Sequence, residues 1–164
     1  MTDAFSNADD LAYLQAELAR IDLLIRFEVQ RWQAAGQNLG DQFRGLYITD
    51  EEAAALLDRP FASSWGQTAA GQDELDRKLR QAADASTAIL TRCQARGRLP
   101  NLAYLACAFG LDALDQDILL ISLAPALDLR YERLYGYLQD DVTRKRPMVN
   151  LALQLLTGPG TQRY

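Results

Sequence analysis

Residues 112–139 read DALDQDILLISLAPALDLRYERLYGYLQ. Two apolar-rich runs, 112–124 and 128–139, are separated by Pro125, Ala126 and Leu127. Each opens on an aspartate, whose carboxylate can accept the unpaired N–H groups of a first helical turn. The proline is expected to close the first run, because its ring removes the N–H that would continue a helix. Two helices joined by so tight a corner have the spacing of a helix-turn-helix. In the second helix, Tyr131, Leu134, Tyr135 and Leu138 share one face, and most of that set is expected in the core. Tyr137 falls nearer the opposite face with Arg130 and Arg133. Tyrosine and arginine are enriched at protein interfaces, so these three are candidates for an exposed partner surface.

Outward from this motif the helical reading continues. Upstream, 100–109 is a short helix closed by Gly110, and the uncharged stretch 99–111 is expected to be surrounded by protein on most sides. Downstream come Asp140 and Asp141, then the basic run Arg144, Lys145 and Arg146, placed where a wing would follow. The acidic pair lies past a helix end, where negative charge opposes the helix dipole. It reads either as a local ion-pair cluster with the basic run or as part of a contact surface. Any β-structure is confined to a small hairpin near 140–147, and a last helix spans 147–156.

The N-terminal half carries two long amphipathic helices. Apolar residues at 11, 14, 18, 21, 25 and 32 predict a helix over about 9–35 that starts near 6–9 and stops at Gly36. Arg20, Asp22, Arg26 and Arg31 lie off its stripe, and Glu28 interrupts it. This helix packs on its own domain or pairs with a second subunit. A loop over 36–48, a capping box at Thr49 and Glu52 opening a helix over 50–58, and a second loop over 61–71 follow. The second long helix spans 72–96, with Leu75, Leu79, Ala82, Ile89, Leu90 and Cys93 inward and Arg77, Lys78, Arg80 and Arg92 outward. The fold class is therefore all-α, a helical bundle ending in a helix-turn-helix segment.

Composition narrows the chemistry. The chain has 164 residues, 49% of them hydrophobic and 24% charged, a net charge of -5, and no histidine. A chain of this size buries roughly 68–70% of its unfolded surface and needs no metal or disulfide staple. Without histidine, Ser-His-Asp and Cys-His nucleophile systems and the usual zinc sites are absent. Only two lysines occur, Lys78 and Lys145, and neither follows a glycine, so there is no phosphate-cradling P-loop. Neither does the Gly158-Pro159-Gly160-Thr161 turn make a phosphate site, since it lacks a lysine and the proline removes a donor. Acidic pairs at Asp9-Asp10, Glu51-Glu52 and Asp73-Glu74 sit at predicted helix starts, where they favour the dipole. Cys93 and Cys107 read as buried free thiols. The longest apolar run, 118–127, is well short of the ~18 residues of a membrane span. Nothing basic and apolar at the start suggests export, so the expected compartment is the reducing cytoplasm, with no membrane partner. Duplex DNA is disfavoured as a partner by the acidic balance and by the near-cancelling charges of Asp128, Arg130, Glu132 and Arg133.

Read from Phe109 onward, the sequence resembles the N-terminal region of a bacterial group of AAA+ ATPases, often encoded beside contractile, phage-tail-like injection systems; the likeness covers roughly 95–156 and, loosely, the first long helix. The resemblance rests on Phe109-Gly110-Leu111, on Asp117 to Leu120 with Leu123-Ala124-Pro125, on the Leu134-Tyr135-x-Tyr137-Leu138-x-Asp140-Asp141 string, and on the basic run ending at Pro147. It implies a winged-helix-like arrangement after residue 99. It departs at Ala126, where the group has a glutamate, so no role of that glutamate carries over. The resulting expectation is a helical region over 1–98, a winged-helix-like segment over 99–157 and a linker over 158–164 toward an ATPase module. The chain itself would be a non-catalytic domain that recognises a protein substrate or adaptor through Arg130, Arg133, Tyr137, Asp140, Asp141, Arg144, Lys145 and Arg146. It would hold no cofactor or metal, ATP and magnesium belonging to the downstream module of a hexameric parent. The alternatives are a stand-alone helical scaffold that dimerises through the 9–35 helix and, less favoured, a winged-helix DNA binder.

Overall fold

The computed structural model describes residues 3–34 and 71–156, which form six helices: α1 (Asp3–Ala34), α2 (Gln72–Ala95), α3 (Asn101–Phe109), α4 (Ala113–Leu127), α5 (Arg130–Leu138) and α6 (Val149–Leu156). The expectations for 36–48, the capping box at Thr49, the 50–58 helix, most of the 61–71 loop and the 158–164 linker lie outside the described residues. No strand occurs among the described residues, and the hairpin expected near 140–147 is a series of turns and bends. The domain is all-helical, as the periodicities predict.

At 32 residues, α1 is about 48 Å long and starts several residues before the expected 6–9. Asp9 and Asp10 therefore lie inside the helix and serve as tertiary links, not as charges at its start. Asp9 pairs with Arg92 and Arg96 at 3.4 and 3.1 Å. Asp10 accepts from the backbone N–H and the side-chain amide of Asn101, at 2.8 and 2.9 Å, and so holds the first turn of α3. The far end of α2 behaves likewise: a Cβ at Gly71 would stand 3.9 Å from the ring of Phe27. Helices α1 and α2 thus run antiparallel.

One cluster of buried side chains joins α1 to the C-terminal helices. It comprises Ile21, Leu24, Ile25 and Trp32 with Leu120, Ile121 and Ala124 of α4, Tyr131, Tyr135 and Leu138 of α5, and Leu151, Leu155 and Leu156 of α6. The α1 stripe that could have paired with a second copy is used internally, though its first member, Leu11, is exposed. With α2 along one side and α4–α6 along another, α1 buries more than one face. That is why Arg20 and Arg31, off the apolar stripe, are buried nonetheless, as is Glu28. Arg20 hydrogen-bonds the buried Asp117 of α4 through both terminal nitrogens, Nη1 to Oδ2 at 2.7 Å, and also pairs with Glu17 at 3.2 Å. Arg31 pairs with Glu28 at 3.4 Å.

The uncharged stretch 99–111 is not enclosed. Only Ala103 and Ala106 of α3 are buried, whereas Tyr104 and Phe109 are 63% and 74% exposed. Cys107 is exposed too, and of the two expected buried thiols only Cys93 is inside. Lack of charge does not imply burial; α3 lies on the surface, with Leu102, Ala103 and Ala106 as its contact side.

The helix-turn-helix forms with one shift. Asp112 caps α4 in a reciprocal box with Asp115: the Asp115 N–H donates to Asp112 at 2.9 Å and the Asp112 N–H to Asp115 at 3.2 Å. Pro125 does not close α4, which continues to Leu127, and the corner falls at Asp128 and Leu129. Asp128 still accepts from the Arg130 N–H at 2.9 Å, although Leu129 occupies the cap position. A proline inside a helix deprives the carbonyl four residues earlier of its donor. Here that carbonyl belongs to Ile121, and the buried Tyr135 hydroxyl donates to it at 2.8 Å.

Tyr135→Phe is expected to cost about 1–2 kcal/mol in urea unfolding, because it leaves the Ile121 carbonyl without a partner in the core. In a Pro125→Ala background, where a backbone N–H is available at 125, the same change should cost measurably less. Burial above all holds the Tyr13 and Tyr131 phenols up to about 12 and raises Tyr135 as well. The fold thus favours the neutral phenols, a contribution intact below the unfolded value of about 10 and lost as pH rises through the folded values. Helical circular dichroism should collapse between about pH 10 and 12, together with a cooperative rise in tyrosinate absorbance.

Candidate functional site

The eight residues predicted to form a partner surface separate into two groups. Arg130, Arg133 and Tyr137 lie on α5, whose amphipathic sequence turns Tyr131, Tyr135 and Leu138 into the core. Asp140, Asp141, Arg144, Lys145 and Arg146 lie in the turns between α5 and α6.

The second group is largely occupied in building those turns. Asp140 has a left-handed φ of 52°, the N–H of Asp140 bonds the Tyr137 carbonyl at 3.2 Å, and the N–H of Asp141 bonds the Gly136 carbonyl at 2.9 Å. This is a Schellman helix end, with aspartate at the position usually taken by glycine. Asp141 accepts from the N–H and hydroxyl of Thr143 at 2.9 and 2.6 Å and from Arg144 at 2.9 Å. Those Thr143 hydrogen bonds, followed by the Arg144 guanidinium, hold the Asp141 carboxyl below the usual carboxylate range. Lys145 pairs with Glu132 of α5 at 3.1 Å. Of the ion-pair cluster offered by the sequence, one pair forms within the segment, Asp141 with Arg144, while Lys145 turns to Glu132 of α5. Gln139 staples the segment: its amide nitrogen lies 3.1 Å from the carbonyls of Tyr135, Arg144 and Arg146, and its oxygen accepts from the Met148 N–H at 2.9 Å.

Tyr137 is not the free anchor expected. It is half-buried, with its ring centroid 5.9 Å from that of Trp32 on α1. Helix α1 passes beside α5, and a residue on the face away from the α4 contact still meets a neighbour. Nearer the start of α5, Arg130 pairs with Asp22 of α1 at 2.7 Å and with Asp128 at 3.1 Å, and its guanidinium stands 4.9 Å from the Tyr131 ring centroid. The Tyr131 hydroxyl donates to the other oxygen of Asp22 at 2.7 Å.

Residues of both helices line a groove of about 660 Å³. Arg133 reaches it from α5, and Arg26, Gln30 and Gln33 from α1. The α1 residues were absent from the sequence-derived site. Their spacing, 22, 26, 30 and 33, marks one face of α1, but only tertiary packing brings that face beside α5. Among the described residues no group of His, Cys, Asp and Glu is arranged to hold a metal ion. None of the helices described is long and apolar enough to cross a membrane.

A family model described as a winged helix domain, variant, matches residues 2–164. Comparison with the curated proteins and with the solved structures gives no match.

The turn makes two substitutions diagnostic. A Cβ at Gly136 would stand 3.2 Å from the Asp141 carbonyl oxygen and 3.3 Å from the Val142 Cα, both backbone atoms. Gly136→Ala, which would gain about 1 kcal/mol at an open helical site, should instead destabilise the domain by about 1–2 kcal/mol. Asp140→Gly should have the opposite sign, raising stability by about 0.5 kcal/mol through relief of the left-handed backbone. Urea melts of the two variants beside the parent chain measure both.

Proposed function

The chain belongs to the variant winged helix domain family, and from that premise we propose that it is a protein-recognition domain without catalytic chemistry, the N-terminal domain of a AAA+ ATPase. The observation that carries the recognition reading is the position of α5. In a DNA-binding winged helix the second helix of the helix-turn-helix enters the major groove. Here α1 flanks that helix at both ends, through Asp22 on Arg130 and Tyr131 and through Trp32 on Tyr137. A major groove about 12 Å wide admits one helix about 10–12 Å across, and α1 alongside would meet the phosphate walls.

Charge supports the same reading. Arg130, Arg144 and Lys145 each bond a carboxylate of the same chain. Neutralising phosphates with them would require breaking those pairs. A mixed surface of Arg, Tyr and Gln suits a protein partner. The AAA+ part of the proposal rests on the resemblance over roughly 95–156. On this reading ATP and magnesium act in a downstream module, and the domain delivers a protein substrate or adaptor to a hexameric motor.

Three measurements test the reading. Reading the gene onward in frame from residue 164 is expected to reveal a Walker-type nucleotide-binding loop, and a stop codon directly after it would sink the AAA+ assignment. The purified 164-residue chain should neither hydrolyse ATP with magnesium nor bind duplex DNA below micromolar concentration in near-physiological salt. Salt-sensitive duplex binding in that range would replace protein recognition with DNA recognition.

A further inference from the structure

The groove between α1 and α5 has a chemical character opposite to that of the chain. Three arginines, Arg26, Arg130 and Arg133, and one aspartate, Asp22, line it, whereas the whole protein carries a net charge of -5. Asp22 is already engaged on both oxygens, by the Tyr131 hydroxyl and the Arg130 guanidinium. Arg26 and Arg133 are exposed and form no ion pair among the described residues; Arg80 and Arg146 share that state, but of these four only Arg26 and Arg133 line the groove. Beside these free guanidiniums the groove offers apolar surface from Val29 and Leu134, and the amides of Gln30 and Gln33.

We propose that this groove docks an acidic segment of a protein partner, one in which an aliphatic side chain is flanked by glutamate or aspartate. Carboxylates of the segment meet Arg26 and Arg133 in the two-point geometry that guanidinium and carboxylate share. The aliphatic side chain covers Val29 and Leu134. The glutamine amides, each with donors and an acceptor, match the N–H and C=O groups of a peptide backbone. From 22 to 33 the α1 wall runs about 16 Å, the length of about five extended residues. A nucleic acid backbone fits less well: two free cations beside an apolar strip neutralise few phosphates, and the acceptor atoms of the glutamines gain nothing from them. The positive groove on an acidic body also gives an acidic partner a preferred landing place, because attraction is local and repulsion elsewhere is general. The proposal rests on the protein-recognition reading above and names the chemistry of the partner.

The test uses the 164-residue chain and a short fluorescein-labelled peptide of alternating Glu and Leu, with a Gln-for-Glu version and a Lys-for-Glu version as controls. Fluorescence anisotropy should show salt-sensitive binding of the acidic peptide and, for the Gln version, at least roughly ten-fold weaker binding, the loss expected for one charge-assisted contact. Arg26→Glu combined with Arg133→Glu should abolish binding of the acidic peptide and create binding of the Lys version. Among the described residues neither arginine forms an ion pair with another side chain, so the circular dichroism and unfolding midpoint of this variant should match those of the parent. Equal binding of the acidic peptide by parent and variant, or none by either, overturns the groove assignment; if duplex DNA also fails to bind, the protein-recognition reading stands with its surface elsewhere. Displacement of the peptide by duplex DNA at lower concentration than by unlabelled peptide overturns both.

Discussion

The buried pair between Arg20 of α1 and Asp117 of α4 sets the register on which the rest of the domain depends. Burial alone would lower the arginine's affinity for its proton, but the hydrogen bond and charge of Asp117 outweigh it and hold the guanidinium above its ordinary value. Two charges taken out of water are tolerated only in good geometry, and removing one partner of such a pair costs about 3–5 kcal/mol. Sliding α1 by a turn along α4 would leave both charges buried apart. The pair therefore selects one register, and that register brings Asp22 to Arg130 and Tyr131, Trp32 to Tyr137, and Arg26 to the groove.

A second constraint lies at the corner of the helix-turn-helix. Pro125 stays within α4 because the fold replaces the donor it lacks: the Tyr135 hydroxyl reaches the Ile121 carbonyl from α5. One hydrogen bond thus satisfies a buried carbonyl and links the two helices across the corner. Tyr131 and Tyr135, 6.1 Å apart by ring centroid, fill the space beneath it. The turns after α5 are built with similar economy, Gln139 serving carbonyls and an N–H from 135 to 148.

These constraints separate architecture from contact surface. Asp140, Asp141, Arg144 and Lys145, which a charge pattern alone marks as a partner surface, are engaged in turn geometry and intramolecular pairs. Arg26 and Arg133, unremarkable as isolated charges on two helices, line one groove together with the apolar side chains of Ile25, Val29 and Leu134. The exposed rings of Tyr104 and Phe109 on α3 show the converse error, in which an uncharged sequence is taken for an interior one. Side-chain chemistry identifies what a residue can bond; packing decides whether the bond is already made.

Local sequence is enough to place the helices and the capping box of α4, because periodicity, Asp112 with Asp115, and Gly110 act within a few residues of one another. It also determined which face of α5 is buried, since Tyr131, Tyr135 and Leu138 follow one helical stripe. Tertiary structure alone decided that α4 runs through Pro125, since the compensating hydroxyl comes from ten residues further on. It alone decided that Arg20 and Arg31 are buried, because α1 lies between other helices and has little solvent-facing side to spare. The groove also belongs to that level: its walls come from residues more than 90 positions apart in sequence, and no periodicity within either helix carries information about which helix will lie beside it.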